Sequence, residues 1–245
     1  MKTKLYLHMG PGFHSEIAKK KYGDIEAVDF WNQPPCGNFD ELVSAANEKT
    51  AALAKAASQP ISLIAHSFGG QLARMIQQSQ PENVKEIILV NSALDPFECF
   101  INLAPYVNPE NSKMDFDSIR KAPVQEKVDF ILGLASTPGF NDLYWHSKDK
   151  MNALAPLFAE APQLDIGVFL KVFPDFLAKK DQLFKTSSWK GPVRIYHSVY
   201  DLLLSKSKDV DSWSQVFPQA EFIRRSDSGH YLLLEDATVA KEIFS

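Results

Sequence analysis

Apolar and polar residues along this chain fall into two alternating patterns. Short runs rich in Val, Ile and Leu occupy residues 4–8, 25–30, 61–65, 85–91, 191–197 and 220–225, and each reads as a β-strand. The run 61–65 carries no charge, which suits a strand buried on both faces. Between these runs, apolar residues return at helical spacing. Asn38, with Glu41 three residues on, marks a helix start, and Phe39, Leu42, Val43, Ala46 and Leu53 form its inner face before Pro60 closes it. Phe68, Leu72, Met75 and Ile76 mark a second helix that ends by Pro81. Val210, Trp213, Val216 and Phe217 mark a third, and a last one begins near Asp236 and buries Val239, Ala240, Ile243 and Phe244. Strands alternating with helices predict an α/β fold with right-handed crossovers and a mostly parallel sheet of about six strands.

The pattern breaks between residues 96 and 190. Eight prolines fall there, with dense aromatics: Phe97, Phe100, Tyr106, Phe116, Phe130, Phe140, Tyr144, Trp145, Phe158, Phe169, Phe173 and Phe176. Helices are predicted over 124–134 and 166–176, and no strand stands out. As a group the aromatics imply an apolar pocket.

Composition narrows the picture. The 245 residues are 45% hydrophobic and 23% charged with a net charge of −4, the profile of one large globular domain without a nucleic-acid footprint or a polybasic membrane patch. The N-terminal apolar run is too short for a signal peptide, and no run approaches the roughly 20 residues that span a bilayer. Cys36 and Cys99 are too few for a disulfide framework and lack metal-ligand spacing, so they read as reduced thiols of a cytoplasmic protein with no metal or cofactor. Oligomeric state is open.

The chemistry centres on Ala65-His66-Ser67-Phe68-Gly69. Small residues two before and two after Ser67 permit a tight strand-to-helix turn, which lifts one hydroxyl clear of the sheet and frees the next backbone N–H for a developing oxyanion. The stretch resembles the Gly-x-Ser-x-Gly nucleophile elbow of the α/β-hydrolase superfamily, with Ala in place of the first Gly. The loop His8-Met9-Gly10-Pro11-Gly12 is similar to the His-Gly-Gly-Pro-Gly loop of the serine esterase and proline-iminopeptidase-like branch, with Met9 replacing the first Gly.

The resemblance implies a core of residues 1–95 and 191–245 with a helical cap at 96–190. The two N-terminal strands of many relatives are expected to be absent, since the strand before the oxyanion loop comes first. It also implies a triad in the order Ser67, Asp201, His230. His230 follows Gly229 in a small, polar loop after the last strand, as the family's histidine does. Asp201 follows a strand, but the family's Gly and Pro around the acid are replaced by Ser198 and Ser205, and Asp95 is the alternative acid. The oxyanion donors are the N–H groups of Phe68 and Gly10, and His66, Met9, Tyr144 and Trp145 are the pocket residues. The implied activity is hydrolysis of a small or medium acyl ester or thioester through an acyl-enzyme. Amide cleavage, C–C hydrolysis, a lyase on the same triad, or ligand binding without catalysis remain open. No acidic site for a substrate amine stands out, which favours the ester.

Overall fold

A computed structural model describes residues 1–23, 25–204 and 209–245; Ser205 and the side chain of Val210 lie outside the described part. The order of elements is β1 (Lys4–Leu7), α1 (Glu16–Tyr22), β2 (Val28–Trp31), α2 (Phe39–Ala57), β3 (Ile61–His66), α3 (Gly69–Ser79), β4 (Val84–Val90), α4 (Pro96–Val107), α5 (Phe116–Lys121), α6 (Val124–Ala135), α7 (Lys148–Ala159), α8 (Ile166–Lys179), β5 (Val193–Ser198), α9 (Asp209–Val216), β6 (Glu221–Arg225), α10 (Leu232–Glu235) and α11 (Ala237–Phe244).

All strand pairs are parallel, in the order β2-β1-β3-β4-β5-β6. The order reverses direction at β1, so a crevice opens between the carboxyl ends of β1 and β3, where open parallel sheets bind ligands. Alternate side chains divide between two cores. Leu5, Leu7, Leu63, Ala65, Ile87, Leu89 and Ile195 pack on one face with α2, α3 and Trp213 of α9. Tyr6, Ile64, Ile88, Val90 and Tyr196 pack on the other with Ala18 of α1 and Val239, Ala240, Ile243 and Phe244 of α11. Every residue of β3 is buried, as its uncharged sequence predicts.

Local signals set most boundaries. The Asn38 side chain accepts a hydrogen bond from the Glu41 N–H at 2.8 Å, capping α2, and Ser58 in a left-handed conformation ends it. β2 starts at Val28 rather than 25, because a turn closed by the Val28 N–H on the Ile25 carbonyl occupies the preceding residues. Two helices lack a clear signal in the sequence. α1 buries only Ala18, so it has almost no apolar stripe to read. α4 uses Pro96 in its first turn and Asp95 as its cap, signals hidden among the prolines of this region.

The five helices α4–α8 fill the segment between β4 and β5, with no strand among its described residues. α8 buries Phe169, Val172, Phe173 and Phe176. Phe68, at the start of α3, meets Phe39, Phe173 and Phe176 at ring-centroid distances of 5.0–6.0 Å. The turn bearing Ser67 is therefore clamped between α2 and α8.

Candidate active site

Ser67 sits between β3 and α3 with φ +53°, a left-handed conformation that costs a non-glycine residue energy. Two features impose it. The Ser67 N–H still donates to the Val90 carbonyl at 3.0 Å, extending the sheet ladder up to the turn. Two residues on, Gly69 passes so close to β1 that an added Cβ would lie 2.3 Å from the Leu7 carbonyl oxygen. Gly69→Ala is accordingly expected to destabilise the fold by about 3 kcal/mol or more, since backbone rather than a flexible side chain must move. A thermal melt within a degree or two of wild type would contradict that geometry.

His230 Nε2 lies 2.9 Å from Ser67 Oγ, and its Nδ1 lies 2.7 Å from Asp201 Oδ2. A carboxylate accepts, so Nδ1 carries the proton and Nε2 is left to accept the serine hydroxyl. Asp201 is fully buried in the loop after β5, and its other oxygen accepts the Leu203 N–H at 3.0 Å. Asp95 is occupied elsewhere. It caps α4 through the Phe97 N–H at 3.1 Å and pairs with Lys180. Of the two acids considered from sequence, the structure brings Asp201 to His230.

Several contacts hold the His230 backbone. Its N–H donates to the Tyr144 carbonyl at 2.7 Å. Its carbonyl accepts from His66 Nε2 at 2.8 Å and from Asn91 Nδ2 at 3.1 Å. Asn91 also donates to the Gly229 carbonyl at 2.8 Å and to Ser198 Oγ, and accepts the Ser198 N–H, so one buried amide joins the ends of β4 and β5 to the histidine loop. Its φ of +43° is a conformation asparagine tolerates better than most residues. The Glu235 carboxylate accepts the N–H groups of Gly229 at 3.0 Å and His146 at 3.1 Å. Burial pushes its pKa up. Gly229 itself is required: a Cβ there would lie 2.6 Å from both the Tyr144 oxygen and the His146 nitrogen. Sequence reasoning found neither Asn91 nor Glu235. An asparagine at the end of a buried strand was a faint signal for the first, and nothing local marked the second.

Gly10 has φ +63°, and a Cβ on it would meet the Phe13 ring at 2.7 Å. His8 Nδ1 bonds the Met9 carbonyl at 3.0 Å and its Nε2 accepts the Gln33 N–H, which ties down the loop between them. A cavity of about 590 Å³ adjoins this assembly. Met9, His66, Tyr144 and Trp145, the four pocket candidates, all line it, with Phe13, Phe100, Phe140, Phe169 and Tyr231. Ser67 and His230 lie beside the wall rather than in it. The rings of Tyr144 and His66, 5.4 and 5.2 Å from that of His230, form the shared boundary.

Burial depresses the pKa of His66 to about 3, with His230 as the next cause, and that of His8 to about 4. Both rings stay neutral in the fold but charge near 6.5 when unfolded. The unfolded chain therefore binds more protons between those limits, and stability falls as pH drops from about 6.5 toward 4. Unfolding free energies from urea titrations at pH 7 and pH 4.5 should differ by several kcal/mol. Equal values would mean that these imidazoles are not buried in neutral form.

Among the described residues no helix is long and apolar enough to cross a membrane. Cys36 and Cys99 are both buried. A sequence model described as "alpha/beta hydrolase fold" matches residues 32–237. A sequence search of curated proteins finds no match. Among solved structures, the chain is similar to a proline iminopeptidase-related protein from Thermus thermophilus, with TM-score 0.68, 18% identity, and 99% of this chain and 87% of that one covered. It is also similar to an alpha/beta fold family hydrolase from Bacillus anthracis str. Sterne, with TM-score 0.63, 17% identity, and 100% and 91% covered. A thermophilic esterase from Thermogutta terrifontis gives TM-score 0.61, 13% identity, and 99% and 88% covered.

Proposed function

Since the chain belongs to the alpha/beta hydrolase fold family, we propose that it is a serine hydrolase cleaving small or medium acyl esters or thioesters through Ser67, His230 and Asp201. The observation that carries this reading is the continuous chain of contacts, 2.9 Å from Ser67 Oγ to His230 Nε2 and 2.7 Å from His230 Nδ1 to Asp201 Oδ2.

His230 Nε2 removes the serine proton as Oγ attacks the substrate carbonyl, because a hydroxyl is a poor nucleophile without a base. Asp201 holds the tautomer that leaves Nε2 free and stabilises the imidazolium that forms. The N–H groups of Phe68 and Gly10 receive the oxyanion; neither donates to another described residue. The imidazolium protonates the leaving alcohol or thiol, and water activated by His230 then releases the acid. Residues 96–190 act as a cap over the core of residues 1–95 and 191–245, supplying Tyr144, Trp145 and Phe169 to the substrate cavity.

The likeness to an iminopeptidase-related protein raises amide cleavage as a second reading. That reading needs a group to hold a substrate amine, and among the described residues no Asp or Glu lines the cavity, so the ester reading is preferred. The test is a p-nitrophenyl ester chain-length series combined with fluorophosphonate labelling. Labelling and turnover that both vanish in Ser67→Ala support the proposal. A wild-type chain that takes no label where a control esterase does would leave a ligand-binding protein on this fold.

A further inference from the structure

Apart from a few polar side chains the cavity wall is apolar, and among the described residues no Asp, Glu, Lys or Arg lines it. A charged substrate would lose its hydration there without gaining a partner. The polar groups sort into those already engaged and those that are not. Both ring nitrogens of His8 are bonded, to the Met9 carbonyl and the Gln33 N–H. Those of His14 bond the Pro162 carbonyl and the Glu16 N–H. Tyr144 and Tyr231 differ. Both line the cavity, and neither hydroxyl bonds any described residue. Tyr231 is 9% exposed and Tyr144 partly buried, so the two phenols face the cavity rather than open solvent.

These two rings lie 5.9 Å apart, centroid to centroid, and 5.4 and 6.2 Å from the ring of His230. Burial raises both phenol pKa values far from neutrality, so each presents an O–H donor. The nearby acceptor is a single ring nitrogen. His66 spends its Nε2–H on the His230 carbonyl, leaving Nδ1. Two phenol O–H groups beside the reacting centre are thus without a bonded acceptor among the described residues.

We infer that the preferred substrate is uncharged and carries a second oxygen acceptor, a keto, ether or ester oxygen, within a few bonds of the scissile carbonyl, where it accepts hydrogen bonds from Tyr144 and Tyr231. This rests on the hydrolase reading above and narrows it. The acceptor engages two cavity-facing donors that have no described partner, and a site built to bond such an atom discriminates against analogues that lack it.

The test compares p-nitrophenyl esters whose acyl chain carries a ketone two, three or four carbons from the ester carbonyl with plain chains of equal length. Each kcat/KM is divided by the hydroxide-catalysed rate of the same ester, removing inductive activation. At least one keto ester should exceed its plain isostere by about tenfold, the discrimination one to two net hydrogen bonds provide. That ratio should fall toward one in Tyr231→Phe and in Tyr144→Phe. Because the readout is a ratio within each variant, partial loss of folded protein does not affect it. A wild-type ratio near one at every position, or a high ratio unchanged in both variants, overturns this inference while the hydrolase reading stands. No Ser67-dependent turnover of any ester overturns both.

Discussion

Replacing Ser67 with alanine is expected to lower kcat by on the order of 10⁶, the loss typical when a nucleophile that works as part of a unit is removed. In the proposed mechanism Ser67 and His230 perform one act, attack with simultaneous proton transfer, across the 2.9 Å contact. His230→Ala should therefore cost a similar factor, and the double variant little more than either alone. Steady-state rates on a p-nitrophenyl ester, with far-UV circular dichroism to confirm folding, provide the measurement. Losses that multiply in the double variant would mean that the two residues act independently, against the proposed mechanism. A residual rate above the water reaction is expected, because the N–H groups of Phe68 and Gly10 survive both changes.

The second large effect separates the two acids. Asp201→Asn should reduce kcat by about 10⁴, the scale seen when a triad acid loses its charge but keeps its shape. An amide facing Nδ1 lets the imidazole place its proton on Nε2, and a protonated Nε2 cannot accept from Ser67. Asp95→Ala should behave in the opposite way. That carboxyl caps α4 and pairs with Lys180, so its removal costs roughly 1 kcal/mol of stability with little effect on kcat. A large rate loss at Asp95 with none at Asp201 would exchange their roles and break the proposed mechanism.

Much of this was readable in advance where the signal is local. The uncharged run of β3, the small residues flanking Ser67 and the Asn38 cap all act through neighbours a few residues away, so the chain displays them directly. The Gly-His pair was legible only as a likeness, and the structure supplies its physical cause: the Tyr144 carbonyl and His146 nitrogen leave no room for a Cβ at Gly229. Glu235 and Asn91 gave almost no warning. Their partners belong to other strands and loops, and nothing in their own surroundings distinguishes a clamp from a surface acid or a strand-end amide.

By itself the sequence determined the α/β alternation, the parallel sheet and the strand-to-helix turn at Ser67, because steric allowance and hydrophobic period operate over a few residues. Tertiary structure alone decided which acid meets His230. It alone brought together side chains 163 and 29 positions apart and left two tyrosine hydroxyls facing the cavity without a partner among the described residues. Those outcomes depend on which elements pack side by side, and packing is a property of the folded whole.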